Sequence, residues 1–127
     1  MSQQVEQPSA VSETDCSRYE VVLVTYHSRE QLVGLLDSAL PDQRLVVVDN
    51  ASGADGVGDV VRAFRNGRYL DGKNVGFAKA ANLGARSSTA EFVIFANPDS
   101  RPTPEIWSAL VAELIADPRL ASVAAAT

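Results

Sequence analysis

Residues 91–107 read EFVIFANPDSRPTPEIW. An unbroken apolar run, Phe92 to Ala96, ends on Asn97-Pro98-Asp99, and two more prolines precede the next apolar pattern. A continuous apolar run bounded by turn residues is how a strand buried on both faces reads. Thr103 followed by Pro104 is an N-cap with proline at the first helical position, so a helix is predicted from there to about Asp117-Pro118. Strand, stiff turn and helix form one connection of a parallel sheet. Pro98 stiffens a turn that presents one carboxylate, Asp99, where the strand ends, and Pro102 and Pro104 set how the helix leaves.

The same unit recurs upstream. YEVVLVTY (19–26) is a second buried strand, and HSREQLVGLLDSAL (27–40) carries Leu32, Leu35, Leu36, Ala39 and Leu40 at helical spacing. Ser28 with Gln31 predicts a capping box, and Pro41 closes the helix. RLVVVD (44–49) is another buried strand, and NASGADGVGD leads into a weaker helix over about Val57 to Phe64. RYL (68–70) is a short strand and DGKNVG (71–76) a turn. A small-residue helix from Phe77 to about Ser87 follows, with Phe77, Ala81, Gly84 and Ala85 as its packed stripe. LASVAAAT (120–127) begins a further strand. Residues 1–18 are polar and aperiodic and are expected to be a disordered tail, with Cys16 a bystander in it. The alternation predicts an α/β, Rossmann-like, mostly parallel sheet with helices on both faces over residues 19–127.

Composition narrows the function. The chain has 127 residues, 46% hydrophobic and 21% charged, which suits one soluble domain. A net charge of -5 with scattered basic residues argues against duplex nucleic acid as a partner. A single cysteine fits a reducing compartment, no apolar run approaches the ~18 residues of a membrane span, and the N-terminus lacks a secretory profile. The expected location is cytoplasmic, with the inner face of the cell membrane as an option.

In doubly wound sheets ligands bind outside the carboxyl ends of the strands. The segments there are TYHS, DNAS, DGKNVGF and NPDS, all polar beside apolar runs, whereas LPDQR and RSSTAE at the other rim read as plain connections. No glycine follows the first strand until Gly34, which excludes the dinucleotide fingerprint, and no phosphate-loop motif occurs. GADGVG (53–58) fits neither spacing. A receiver domain would need an acidic pair near the first strand, and VTYHS has none. What remains can divide the work of holding a nucleoside diphosphate. Asp49 can accept the imide N–H of uracil or thymine, Tyr26 can pack on the ring, and the N–H groups of the helix starting near Gly76 favour phosphate. Asp99 can hold a divalent cation between diphosphate oxygens. Taken alone, Asp49 reads equally as a strand-end cap, Tyr26 as core packing, and Asn74 and Asn82 as turn and helix residues.

Together, VVLVTYHSREQLVGLLDSAL, VVVDNASGADG, NVGFAKAANLGAR and FVIFANPDSRPTPE resemble family 2 glycosyltransferases with the GT-A fold, most of all the rhamnosyltransferase-like branch of cell-envelope polysaccharide enzymes. The resemblance spans about Tyr19 to Thr127. It implies a base contact at Asp49, an aromatic beside the base at Tyr26, and Asn-x-Gly pairs at Asn74/Gly76 and Asn82/Gly84. Thr25, Asn50 and Asn97 join them as donor-site residues. The family's D-x-D metal motif falls on Asn97-Pro98-Asp99, which leaves Asp99 as the principal ligand for Mg²⁺ or Mn²⁺. The implied activity is transfer of a sugar from a UDP- or dTDP-sugar to a glycan or lipid-linked envelope acceptor.

In such enzymes the acceptor site and the catalytic base come from the second half of the domain. Glu105, Glu113 and Asp117 read as helix surface and capping and His27 as a local polar contact, so no base is assigned. The expectation is a truncated, donor-binding half that self-associates or meets a complementary chain supplying the rest. The alternative is a non-catalytic nucleotide or nucleotide-sugar binding module.

Overall fold

The computed structural model describes residues 18–100, 103–117 and 119. Of the expected tail over 1–18, residues 1–17 lie outside the described residues, as do Pro102, Pro118 and the strand over 120–127, while Arg18 is described and donates through Nε and Nη2 to the Glu91 carboxylate. Eight elements alternate along the chain: β1 (Tyr19–Thr25), α1 (Arg29–Leu36), β2 (Leu45–Asp49), α2 (Val57–Arg62), β3 (Gly67–Asp71), α3 (Phe77–Ser87), β4 (Phe92–Ala96) and α4 (Pro104–Ala116). The strands form one sheet in the order β3-β2-β1-β4, and every pairing is parallel. Its last rungs set Thr25 beside Asp49 and Asp49 beside Asp71.

The period-two pleat assigns alternate residues to opposite faces. Tyr19, Val21 and Leu23 of β1 and Leu45 and Val47 of β2 share a core with Leu32, Leu35 and Leu36 of α1, Val57 and Val61 of α2, and Trp107 and Val111 of α4. On the other face, among the described residues, only α3 packs, and closely: a Cβ on Gly84 would lie 2.6 Å from Val22 Cγ1 and 3.2 Å from Val48 Cγ2. The chain steps from β1 to β2 to β3 in one direction, then returns through α3 to place β4 on the far side of β1. A reversed step needs its helix on the opposite face to keep a right-handed crossover, so α3 alone lies there. The winding therefore reverses between β1 and β4.

At the amino-terminal rim Glu20 is 1% exposed. Its carboxylate accepts from Arg68 Nε at 3.1 Å and Nη2 at 2.8 Å, and Arg68 Nη2 also donates to Ser87 Oγ at 3.1 Å. A carboxylate so deeply buried is tolerable only with such a partner.

Three local expectations are corrected. Ser28 precedes α1 but makes no side-chain cap bond, because its Oγ donates to Tyr26 O and accepts from Tyr26 N. The helix ends at Leu36 rather than Leu40, in a tightened turn where Ser38 N donates to Leu35 O and Ala39 N to Leu36 O. Phe77 leaves the packed stripe of α3, which buries Ala80, Ala81 and Gly84, and is 58% exposed. Thr103 caps α4 as expected, accepting from Ile106 N, with Pro104 buried at the first position.

Candidate functional site

Among the described residues, all backbone positions with positive φ lie in loops at the carboxyl rim. They are His27 (53°), Ser52 (52°), Gly53 (83°), Gly56 (73°), Lys73 (54°), Asn74 (55°) and Gly76 (94°). Glycine and asparagine take this region readily, but histidine, serine and lysine do so at a cost of order 1–3 kcal/mol each. Such conformations persist only where surrounding bonds hold them, and that concentration on one rim is itself a functional signal.

Asp49 is the first of those holds. Its side chain is fully buried. Oδ1 accepts from Thr25 Oγ1 at 3.3 Å and Ala51 N at 3.0 Å, and Oδ2 from Gly53 N at 2.7 Å and Tyr69 Oη at 2.9 Å. Four donors fill both oxygens. Asp49 therefore stands behind the rim and shapes the β2–α2 loop, and accepting a base N–H would require displacing one of these donors. Burial, the hydrogen bond to Asp49 and that residue's charge push the Tyr69 phenol up to about 12. The loop is tied from α1 as well: Arg29 N donates to Asp55 Oδ2, and Arg29 Nη1 to Gly56 O at 2.7 Å.

Asn50 is 6% exposed, and its Oδ1 is buried without a hydrogen-bond partner. It abuts Gly72, where any side chain would collide with it. Next to Gly72 stands Asp71, the exposed end of β3, whose Oδ1 accepts from Ser52 Oγ at 2.9 Å and Lys73 N at 2.9 Å. The Lys73 backbone bond, then the Ser52 hydroxyl, hold its carboxyl below the usual range.

Where the winding reverses, a cavity of about 210 Å³ opens between β1, β4 and the start of α3, lined by Val22, Val24, Phe77, Ala81, Phe95, Ala96 and Asn97. Its walls are apolar except for the Asn97 amide. Tyr26 stands exposed at the end of β1, its ring edge-to-face with His27 at 4.4 Å between centroids. Asn74, Gly76 and Asn82 are exposed along the β3–α3 loop and α3. No side chain caps α3, its first turn carries no acid, and the space beside Gly76 is open, so its leading N–H groups face outward. In the turn after β4, Asn97 O accepts from Ser100 N at 3.1 Å and Ser100 Oγ at 2.6 Å, and Asp99 is exposed.

The structure thus brings Tyr26, the start of α3, Asn97 and Asp99 to the rim around the reversal, while Thr25, Asn50 and Asp49 lie buried behind it. Sequence reasoning missed Asp71, Tyr69 and Phe95. Asp71 was within reach, since it ends β3 as Asp49 ends β2. Phe95 was not, because a continuous apolar run hides which of its members stays uncovered. No group of three or more His, Cys, Asp or Glu able to hold a metal occurs among the described residues. An exposed lone carboxylate such as Asp99 fits a cation that takes its other ligands from bound phosphates and water.

Comparison with known proteins gives the site its context. Among solved structures, the chain is similar to S. aureus TarS 1–349, with a TM-score of 0.65 and 23% identity over 78% of this chain and 32% of that one. It is also similar to the same protein in complex with UDP, with a TM-score of 0.62 and 21% identity over the same shares. The chain thus spans about a third of the length of these structures, and at such identity the likeness establishes the GT-A-like fold. No curated protein sequence matches the chain. The model of glycosyl transferase family 2 matches residues 20–127, nearly all of the described fold, and the chain belongs to that family.

Proposed function

We propose that the chain binds a UDP- or dTDP-sugar at the carboxyl rim together with Mg²⁺ or Mn²⁺, for transfer of a hexosyl or rhamnosyl unit to a glycan or lipid-linked envelope acceptor. The observation that carries this reading is the gathering of an exposed aromatic, an uncapped helix start and a free carboxylate around one winding reversal, in a member of this family. The complex of a structural neighbour with UDP supports it. Tyr26 packs on the base, the leading N–H groups of α3 take diphosphate oxygens, and Asn97 with Asp99 faces the sugar-phosphate bond. Asp99 would hold the cation, which would supply positive charge against that gathering on the departing diphosphate. Glu105 and Glu113 lie along α4 and Asp117 at its end, so the base that deprotonates the acceptor is not assigned to them.

Among the described residues no helix is long and apolar enough to cross a membrane.

Calorimetric titration with UDP and dTDP, with and without Mn²⁺, tests the reading. The parent chain is expected to bind more tightly with metal, and Asp99→Ala to lose that gain, a drop of about tenfold or more. Equal affinity of the two proteins in Mn²⁺ would remove Asp99 from the role.

A further inference from the structure

We propose that Asp71 reads the donor's base, and that its one open oxygen selects a base with a single imide N–H, uracil or thymine, over guanine. The inference rests on the nucleoside-diphosphate reading above. It begins with Asp49, whose oxygens already hold four donors and have none left for a ligand. The partner of Asp49 on the last rung is Asp71. Its situation is the reverse: the residue is exposed, and both of its hydrogen bonds fall on Oδ1. Those bonds fix the carboxylate in place and leave Oδ2 open at the rim.

Two neighbours point the same way. The buried Asn50 Oδ1 lies against Gly72, the residue after Asp71, and so packs the backbone that carries this carboxylate. Lys73 and Asn74, next along, are held in left-handed conformations, and the Lys73 N–H is one of the two donors to Asp71.

The count of open acceptors decides the base. Guanine presents two parallel N–H donors and pairs best with both oxygens of a free carboxylate. Here Oδ1 is filled by the Ser52 hydroxyl and the Lys73 N–H, so one of guanine's donors would be left without a carboxylate partner. Uracil and thymine present one N–H between two carbonyls, which a single oxygen satisfies. Cytosine presents a lone pair at that atom, against the carboxylate's negative charge.

Asp71→Asn tests this cleanly, because the amide oxygen can keep the bonds to Ser52 and Lys73 while an NH₂ replaces Oδ2. Titrations with UDP, CDP and GDP in Mn²⁺, on variants shown by thermal melting to be folded, give the readout. The parent should prefer UDP over both. In Asp71→Asn, UDP affinity should fall roughly 10- to 100-fold while CDP affinity holds or rises. Ser52→Ala opens a lone pair on Oδ1 and should narrow the parent's preference for UDP over GDP. A parent that binds UDP, with a UDP-to-CDP ratio unchanged in Asp71→Asn, overturns the role of Asp71 and leaves the donor site standing. A parent that binds GDP as tightly as UDP overturns the selection. A parent that binds no nucleoside diphosphate overturns both this inference and the reading beneath it.

Discussion

At the end of β2, Asp49 gathers donors from the loop that follows and from the strands on either side, Tyr69 among them. The Tyr69 hydroxyl is one of four donors on a fully buried carboxylate. Removing it leaves three donors, so the loss is that of one hydrogen bond and not of an uncompensated charge. Tyr69→Phe is expected to cost about 1 kcal/mol in urea unfolding at pH 8. The contribution also has a pH signature. The phenol ionises near 10 when unfolded and near 12 when folded, so the folded state favours the neutral form. That stability is complete below pH 10 and is lost as pH rises from 10 through 12. The gap between parent and variant should therefore close over that range, and a constant gap up to pH 12 would show that the Tyr69–Asp49 bond is not its source. The position of Asp49 at a strand end was legible in the sequence. Its saturation was not, since two of the four donors are backbone N–H groups of the folded loop and the other two are hydroxyls on the strands at either side.

At the level of elements, order and type were legible because β1, β2 and β4 carry apolar runs and the helices between them repeat at their own period, while β3 was legible only as the short RYL. Boundaries and packed faces were less so. Ser28 fits the capping pattern, yet its hydroxyl turns to the backbone of Tyr26, because serine satisfies itself locally as easily as it caps. Phe77 reads as the anchor of α3, yet that helix approaches the sheet through Ala80, Ala81 and Gly84. The close approach makes Gly84 the decisive position. A methyl group there would meet Val22 Cγ1 at 2.6 Å, and Val22 is buried in the centre of β1. Helix propensity favours alanine over glycine by about 1 kcal/mol. Overpacking costs typically 1–3 kcal/mol, so the clash is expected to win. Gly84→Ala should destabilise by about 1–2 kcal/mol in denaturant melts. An increase in stability would mean that α3 is free to lift away from the sheet. The start of α3 carries Gly76 and wall residue Phe77, so the same variant should also weaken UDP binding.

Across the whole molecule, the two faces of the sheet are unequally covered. Among the described residues, three helices bury one face, whereas α3 alone lies on the other, over β1 and β2. β4 is the last strand of the order, and no described strand pairs with its outer edge. Phe95 on it is 53% exposed, and Phe77 across the cavity 58%. An apolar strand edge without proline or charge, beside exposed aromatics, is a surface that proteins ordinarily cover or guard. The tendency to associate that the sequence suggests thus acquires a location. Sizing chromatography with light scattering over a range of concentrations should show the chain associating, and Phe95→Lys should shift it toward monomer. A charge on an edge strand opposes pairing, and because the side chain is half exposed its loss should change the melting temperature little. A parent that stays monomeric throughout the range, or a Phe95→Lys protein that associates as readily, would place the contact elsewhere. The candidate site then gains a consequence. Phe95 and Phe77 are walls of the cavity at the winding reversal, so any chain that covers the β4 edge also closes that cavity from one side. Nucleotide affinity measured at rising protein concentration should accordingly change for the parent and stay constant for Phe95→Lys.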